Sequence, residues 1–195
     1  SRKIYTPGDA CDVLVAMNVA ALKVNLYALK KGAIVIANTD GFDSRNMRLA
    51  NAETNPLEDG TLDGYQVIKI DVTKLTREAL ADISMGVKEK DRCKNMFVLG
   101  FLYYMYSRTL ESTERFLTSK FSKKPDVLEA NVRALKAGYN YADTVEVFAS
   151  RYKVEAAKLD PGTYRSIMGN EAAAMGFVAA SKKCGLPLFL GSYPI

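Results

Sequence analysis

Two short apolar runs, one helix length apart, constrain this chain more than any other feature. Residues 12–17 (Asp-Val-Leu-Val-Ala-Met) and 33–37 (Ala-Ile-Val-Ile-Ala) are β-prone and almost free of charge. A strand with one wet face alternates polar and apolar residues; runs like these need both faces covered, as in a parallel sheet flanked by helices. Between them Asn18 is placed to cap a helix reaching about Lys31. Val19, Leu22, Leu26 and Leu29 recur at helical spacing, and Gly32 stands at the C′ position. Strand–helix–strand with connections this short is a βαβ unit, with a right-handed crossover. The turn-like Asn38-Thr39-Asp40-Gly41 follows the second run, at the end where open α/β sheets gather ligand contacts. The same residues suit a polar turn that satisfies its own backbone. Asn38, Thr39 and Asp40 are the candidate cofactor-binding residues on this ground.

Downstream, residues 42–64 are polar and turn-rich, and 65–72 alternate well enough for a third strand. Helices are expected over about 76–85, 95–107, 109–121 and 125–148, the last with Pro125 at N1. The stretch 95–107 has aromatics around most of its circumference, which suits a central core helix or a subunit contact. Beyond Arg151 the chain becomes charged and carries Asp160-Pro161-Gly162, a linker signal. Residues 170–183 read as a small-residue helix ended by Gly185, and 187–190 as the start of a strand. No internal repeat or low-complexity tract interrupts the pattern.

Composition then narrows the chemistry. With no His among 195 residues, no Ser-His-Asp triad, Cys-His dyad or HExxH zinc site can be built from this chain alone. Cys11, Cys93 and Cys184 are too few and too scattered for an Fe–S cluster, which takes about four thiolates. They fit reduced cytosolic thiols, with Cys11 and Cys184 expected as packing residues. No metal site is expected within the chain, and any acid–base chemistry is left to Asp, Glu, Lys or Tyr. It opens without an apolar leader, and its longest uncharged apolar stretch is 95–107, short of the roughly 20 residues of a membrane span. A cytoplasmic protein without membrane contact is expected. The absence of an initiator Met suggests a fragment.

Local motifs carry less. No two glycines have GxG spacing and GxxxxGK[ST] is absent, so the usual nucleotide loops are missing. Tyr27 and Lys31 match YxxxK, and Ser150 and Lys153 match SxxK; the first reads as a chance i, i+4 pair on an amphipathic helix, the second as a two-residue match without the SDN or KTG that would support it. Lys120, Lys123 and Lys124, with Lys182 and Lys183, form basic clusters in a chain of net charge +5. Acidic residues are interleaved throughout, so nucleic acid is not an expected partner. Solvated helix ends are the plain reading of these lysines; an anionic partner is the other.

Two stretches resemble a known family. Gly169-Asn170-Glu171-Ala172-Ala173-Ala174-Met175-Gly176, followed by Gly185-Leu186-Pro187-Leu188-Phe189-Leu190-Gly191-Ser192-Tyr193-Pro194-Ile195, resembles the start of the α domain of 2-oxoacid:ferredoxin oxidoreductases. Thr6-Pro7-Gly8 through Asn18, with Gly32-Ala33-Ile34-Val35-Ile36, is similar to the body of the family's γ domain. γ followed by α on one chain is the layout of the 2-oxoglutarate:ferredoxin oxidoreductase α subunit. The resemblance implies a mostly parallel Rossmann-like sheet flanked by helices, with a helical C-terminal part. It implies a γ-type domain over 1–150 (N-terminally incomplete), a linker over 151–166, and the truncated start of a pyrimidine-binding-like α domain over 167–195. The family's Gly-Gly-Gln-Gly and Arg-Gly-Gly segments would lie upstream of Ser1, and its Thr-Pro motif beyond Ile195. Tyr193, Pro194 and Ile195 lead into that motif.

The implied function is oxidative decarboxylation of a 2-oxoacid, 2-oxoglutarate ahead of the others, to its acyl-CoA, with electrons passed to ferredoxin. The implied cofactors are thiamin diphosphate, Mg2+ and [4Fe-4S], bound mainly by other chains or missing segments, with CoA as co-substrate. The implied partners are a thiamin-binding β subunit, a ferredoxin-like cluster subunit and ferredoxin, in an oligomer. This part would serve as scaffold, with a share in enclosing CoA, and would be inactive alone. The alternative is a non-catalytic binding or assembly module of the same fold.

Overall fold

A computed structural model describes residues 10–146 and 151–191. The βαβ unit is present. Strand β1 (Cys11–Ala16) leads through Asn18, whose Oδ1 accepts the Ala21 N–H at 2.8 Å, into helix α1 (Val19–Asn25). The helix stops six residues short of the expected Lys31. Asn25 Nδ2 donates to the Ala21 carbonyl at 2.8 Å, a 3-10 turn (Leu26–Ala28) follows, and β2 (Leu29–Asn38) begins. Leu29, expected on the helix face, instead enters the sheet and the core.

Strand β1 pairs in parallel with β2, and Cys11 faces Leu29 while Val13 faces Ile34. Two steps along β1 therefore match five along β2. Gly32, at φ +75°, turns the chain inside this bulge rather than at a helix end. Lys30 spans it to Asp12 at 2.7 Å.

A 3-10 turn (Thr39–Phe42) and α2 (Ser44–Leu49) open the next connection, so the polar excursion carries a helix of its own. It ends in β3 (Gln66–Ile70), parallel to β2, giving the order β1-β2-β3. Val72, expected in this strand, starts α3 (Val72–Ala79), which begins four residues earlier than the expected helix at 76 and ends before 85.

Alternation along the strands sorts their side chains into two cores, which is why residues 13–17 and 33–37 are apolar at every position. Ile34, Ile36, Ile68 and Ile70 join Phe97, Val98, Phe101 and Met105 on one face. Leu14, Ala16, Val35 and Ala37 join Val19, Leu22, Phe42 and Leu62 on the other.

The remaining helices are α4 (Val87–Asp91), α5 (Lys94–Met105), α6 (Glu111–Phe121) and α7 (Pro125–Thr144). Helices α5 and α7 cross at two glycines. A Cβ on Gly100 would fall on the Leu135 carbonyl oxygen, and one on Gly138 on the Phe97 carbonyl oxygen. Phe97 and Phe101 are fully buried there, so the aromatic helix is a core helix.

The chain divides into two units, Ser1–Ala157 and Lys158–Ile195. The second contains α8 (Gly169–Cys184), closed by Gly185 in the left-handed region at φ +71°. No strand forms at 187–190 among the described residues. Cys184 is exposed, not packed: it is the last residue of a helix that buries no side chain. Cys11 is half-buried, and the buried thiol is Cys93. Among the described residues no helix is long and apolar enough to cross a membrane.

Candidate functional site

A parallel sheet brings the carboxyl ends of its strands to one edge, and here Asn38 joins all three. The residue is 2% exposed. Nδ2 donates to the Met17 carbonyl beyond β1 at 3.4 Å, and Oδ1 accepts the Val72 N–H beyond β3 at 3.1 Å. Three residues on, a Cβ at Gly41 would collide with the Met17 carbonyl and Asn18 Cα, so only glycine lets the turn close over the end of β1. Asp40 Oδ2 accepts the Thr73 hydroxyl at 2.8 Å, tying this turn to α3. Thr39 starts the 3-10 turn. Sequence reasoning thus names the turn but misses its partners Val72 and Thr73. Only the placement of β3 reveals them.

Charge gathers beside this edge. Asp71 caps α3, accepting the Lys74 N–H at 3.0 Å. Arg77 makes two bonds to Asp91, 2.6 and 2.8 Å. The guanidinium holds the Asp91 carboxyl below the ordinary carboxylate range. In return the Asp91 bond raises the Arg77 pKa against the opposing desolvation, with smaller help from the fields of Asp91, Asp40 and Asp71. Asp71 before the amphipathic run Val72–Ala79 is a capping signal that the expected helix start at 76 passes over. The arrangement offers a polar, hydrogen-bonded sheet edge and positions its turns.

The implied groups can be set against the donors present. Among the described residues no three of Cys, Asp or Glu stand together as a metal site. The three cysteines are separate, one half-buried, one buried and one exposed. These residues do not fit Mg2+ or an Fe–S cluster.

The other sequence motifs separate. Tyr27 lies in the 3-10 turn and Lys31 in β2, so YxxxK does not occupy one helix. Ser150 of the SxxK pair, and Tyr193, Pro194 and Ile195, lie outside the described residues. Lys120 sits over Phe116 and Phe121, 5.3 and 5.5 Å from their ring centroids; Lys123 and Lys124 are exposed at the α6–α7 turn. Lys182 and Lys183 occupy the last turn of α8, where the helix dipole favours cations.

Residues 1–141 match the family described as pyruvate ferredoxin/flavodoxin oxidoreductase. The chain belongs to that family. It is 50% identical over 192 residues, 98% of its length, to the 2-oxoglutarate oxidoreductase subunit KorA of Mycobacterium tuberculosis, and spans 29% of that protein. The fold also matches the 2-oxoglutarate:ferredoxin oxidoreductase of Magnetococcus marinus, solved with 2-oxoglutarate, coenzyme A and succinyl-CoA bound. That match has a TM-score of 0.58 at 24% identity and covers 81% of this chain and 24% of the other. The resemblance seen in the sequence therefore holds, both for the family and for the α/β fold with a parallel sheet.

Proposed function

We propose that this chain forms part of the large subunit of a 2-oxoglutarate:ferredoxin oxidoreductase. The reaction converts 2-oxoglutarate and CoA to succinyl-CoA and carbon dioxide, with two electrons passed to ferredoxin. The identity with KorA along 98% of the chain carries this reading and favours 2-oxoglutarate over other 2-oxoacids. Thiamin diphosphate with Mg2+ supplies the carbanion chemistry and [4Fe-4S] the electron path. Both belong to other chains, a thiamin-binding β subunit and a cluster-bearing subunit, or to other parts of this protein.

Residues 1–150 act as a γ-type scaffold domain, 151–166 as a linker, and 167–195 as the opening of the α domain. Asn38, Thr39 and Asp40 shape the sheet edge, where a share in enclosing CoA is the proposed role. Tyr193, Pro194 and Ile195 lead toward the cofactor segment. The assembly is oligomeric and cytoplasmic.

The test is co-expression of the full-length chain with its β subunit and purification through the former. A β subunit should co-purify, and the complex should reduce ferredoxin only when 2-oxoglutarate and CoA are both supplied. A chain that purifies alone, with no such reduction in the reconstituted mixture, would favour the non-catalytic assembly module instead.

A further inference from the structure

An α-helix leaves its last four carbonyls without helical partners, and in α5 each of them can be traced to a donor. Ser107 adopts φ +51°, so the chain closes as a Schellman motif with serine in the position usually held by glycine. The Arg108 N–H donates to the Tyr103 carbonyl at 2.8 Å, and the Ser107 N–H to the Tyr104 carbonyl at 3.1 Å. The Leu102 carbonyl accepts the Tyr106 N–H at 2.9 Å. That leaves Met105, a fully buried residue. Its carbonyl accepts the Tyr152 N–H at 2.8 Å, from 47 positions downstream.

The contact does not stand alone. Arg151 Nε donates to the Tyr104 carbonyl at 3.0 Å, and its guanidinium carbon lies 4.1 Å from the centroid of the Tyr104 ring. The rings of Tyr106 and Tyr152 lie 5.6 Å apart. Tyr104 is itself held, edge-on to Tyr139 at 5.4 Å. From Lys153 to Ile167 the chain is exposed and forms no helix or strand.

The geometry points to Arg151 and Tyr152 as a clasp that completes the C-terminal cap of α5 and fixes the point at which the chain leaves the first unit. Within that unit, which extends to Ala157, Tyr152 is a fixed point of the chain. Beyond it runs an exposed tether whose origin is set by the stacking of Arg151 on Tyr104. Release of the clasp takes from the Met105 carbonyl the donor that completes the helix cap.

Amide exchange resolved to single residues in the full chain tests this. The Tyr152 amide should exchange at least about tenfold more slowly than those of Val154 and Ala156, the effect of one net hydrogen bond. Arg151→Ala should remove most of that protection while the amides inside α5 and α7 keep theirs. Arg151→Lys, which keeps the charge but not the planar stack, should fall between. A Tyr152 amide in the parent chain exchanging as fast as that of Val154 overturns the clasp. So does an Arg151→Ala chain that loses protection along α5 and α7 to the same extent, because Arg151 would then support the core as a whole.

Discussion

Helices α5 and α8 are both apolar, both carry glycine mid-helix, and have opposite surroundings. In α5, Gly100 lets the backbone of α7 approach until no Cβ fits, and five of the twelve residues are buried. In α8 a Cβ at Gly176 meets nothing within 4 Å, and Met175, Phe177 and Val178 are exposed. Small residues in a helix permit close packing; a neighbour is needed to realise it. The difference is sharpest at the two helix-associated thiols. Burial raises the Cys93 thiol pKa, and the residue is 2% exposed, whereas Cys184 is exposed at the end of α8. A thiol reagent at neutral pH should label Cys184 at once. It should reach Cys93 only through opening of the first unit, roughly four-thousandfold slower for a stability near 5 kcal/mol. Mass spectrometry of timed samples reads this directly, and early labelling of Cys93 would break the contrast.

Substitution at the crossing should have the next largest effect. Gly100→Ala or Gly138→Ala drives a methyl group into a backbone carbonyl that cannot rotate away, so the two helices must separate. A loss of about 3 kcal/mol, the upper end for overpacking, is expected, read from the fall in the urea midpoint multiplied by m. Asn38→Ala should cost less, about 2 kcal/mol, because it leaves the Val72 N–H and the Met17 carbonyl without their partner in a dry site. Thr39→Ala is its control and should change the midpoint little.

How far these features were legible depends on the range of the interactions. The strand at 12–17 lies within one residue of β1, and the helix at 170–183 within one residue of each end of α8. Local apolar runs and a glycine C-cap suffice for those. Lys30-Lys31-Gly32 misled, because two lysines and a glycine mark a helix end and a bulge equally well. Gly32 does take positive φ, but Leu29 had already left the helix to fill a core position. Asn38 could be placed in a turn, not at the junction of three strands, since its partners lie 21 and 34 positions away. Cys184 misled for the opposite reason. Small and apolar residues lie near it, but Lys182 and Lys183 directly precede it and mark a solvated helix end.

The carboxylates extend the comparison to pH. Asp91 is held below its ordinary pKa chiefly by its hydrogen bonds to Arg77. A depressed folded pKa adds stability that is present above the unfolded value, near pH 4, and is lost as pH falls through the folded one. Asp91→Asn should therefore destabilise the first unit modestly at pH 7. The gap to the parent chain should close as both are titrated below pH 4, as read by thermal unfolding across the pH series. A gap that stays constant with pH would mean that the side chain acts through shape and not through charge.

The smallest effect is expected at Gly176, with the opposite sign to Gly100. With open space where the methyl group would go, Gly176→Ala removes only the backbone entropy that glycine loses in a helix, a gain of about 0.5–1 kcal/mol confined to α8. Circular dichroism of the 195-residue chain should show slightly more helix, and the unfolding midpoint of the first unit should not move. The same substitution in the longer protein then becomes a probe of what lies against α8. If an element approaches Gly176 as closely as α7 approaches Gly100, the sign reverses and the variant loses stability by an amount comparable to Gly100→Ala. A loss of helix already in the 195-residue chain would place a close neighbour on α8 and remove the contrast between the two helices.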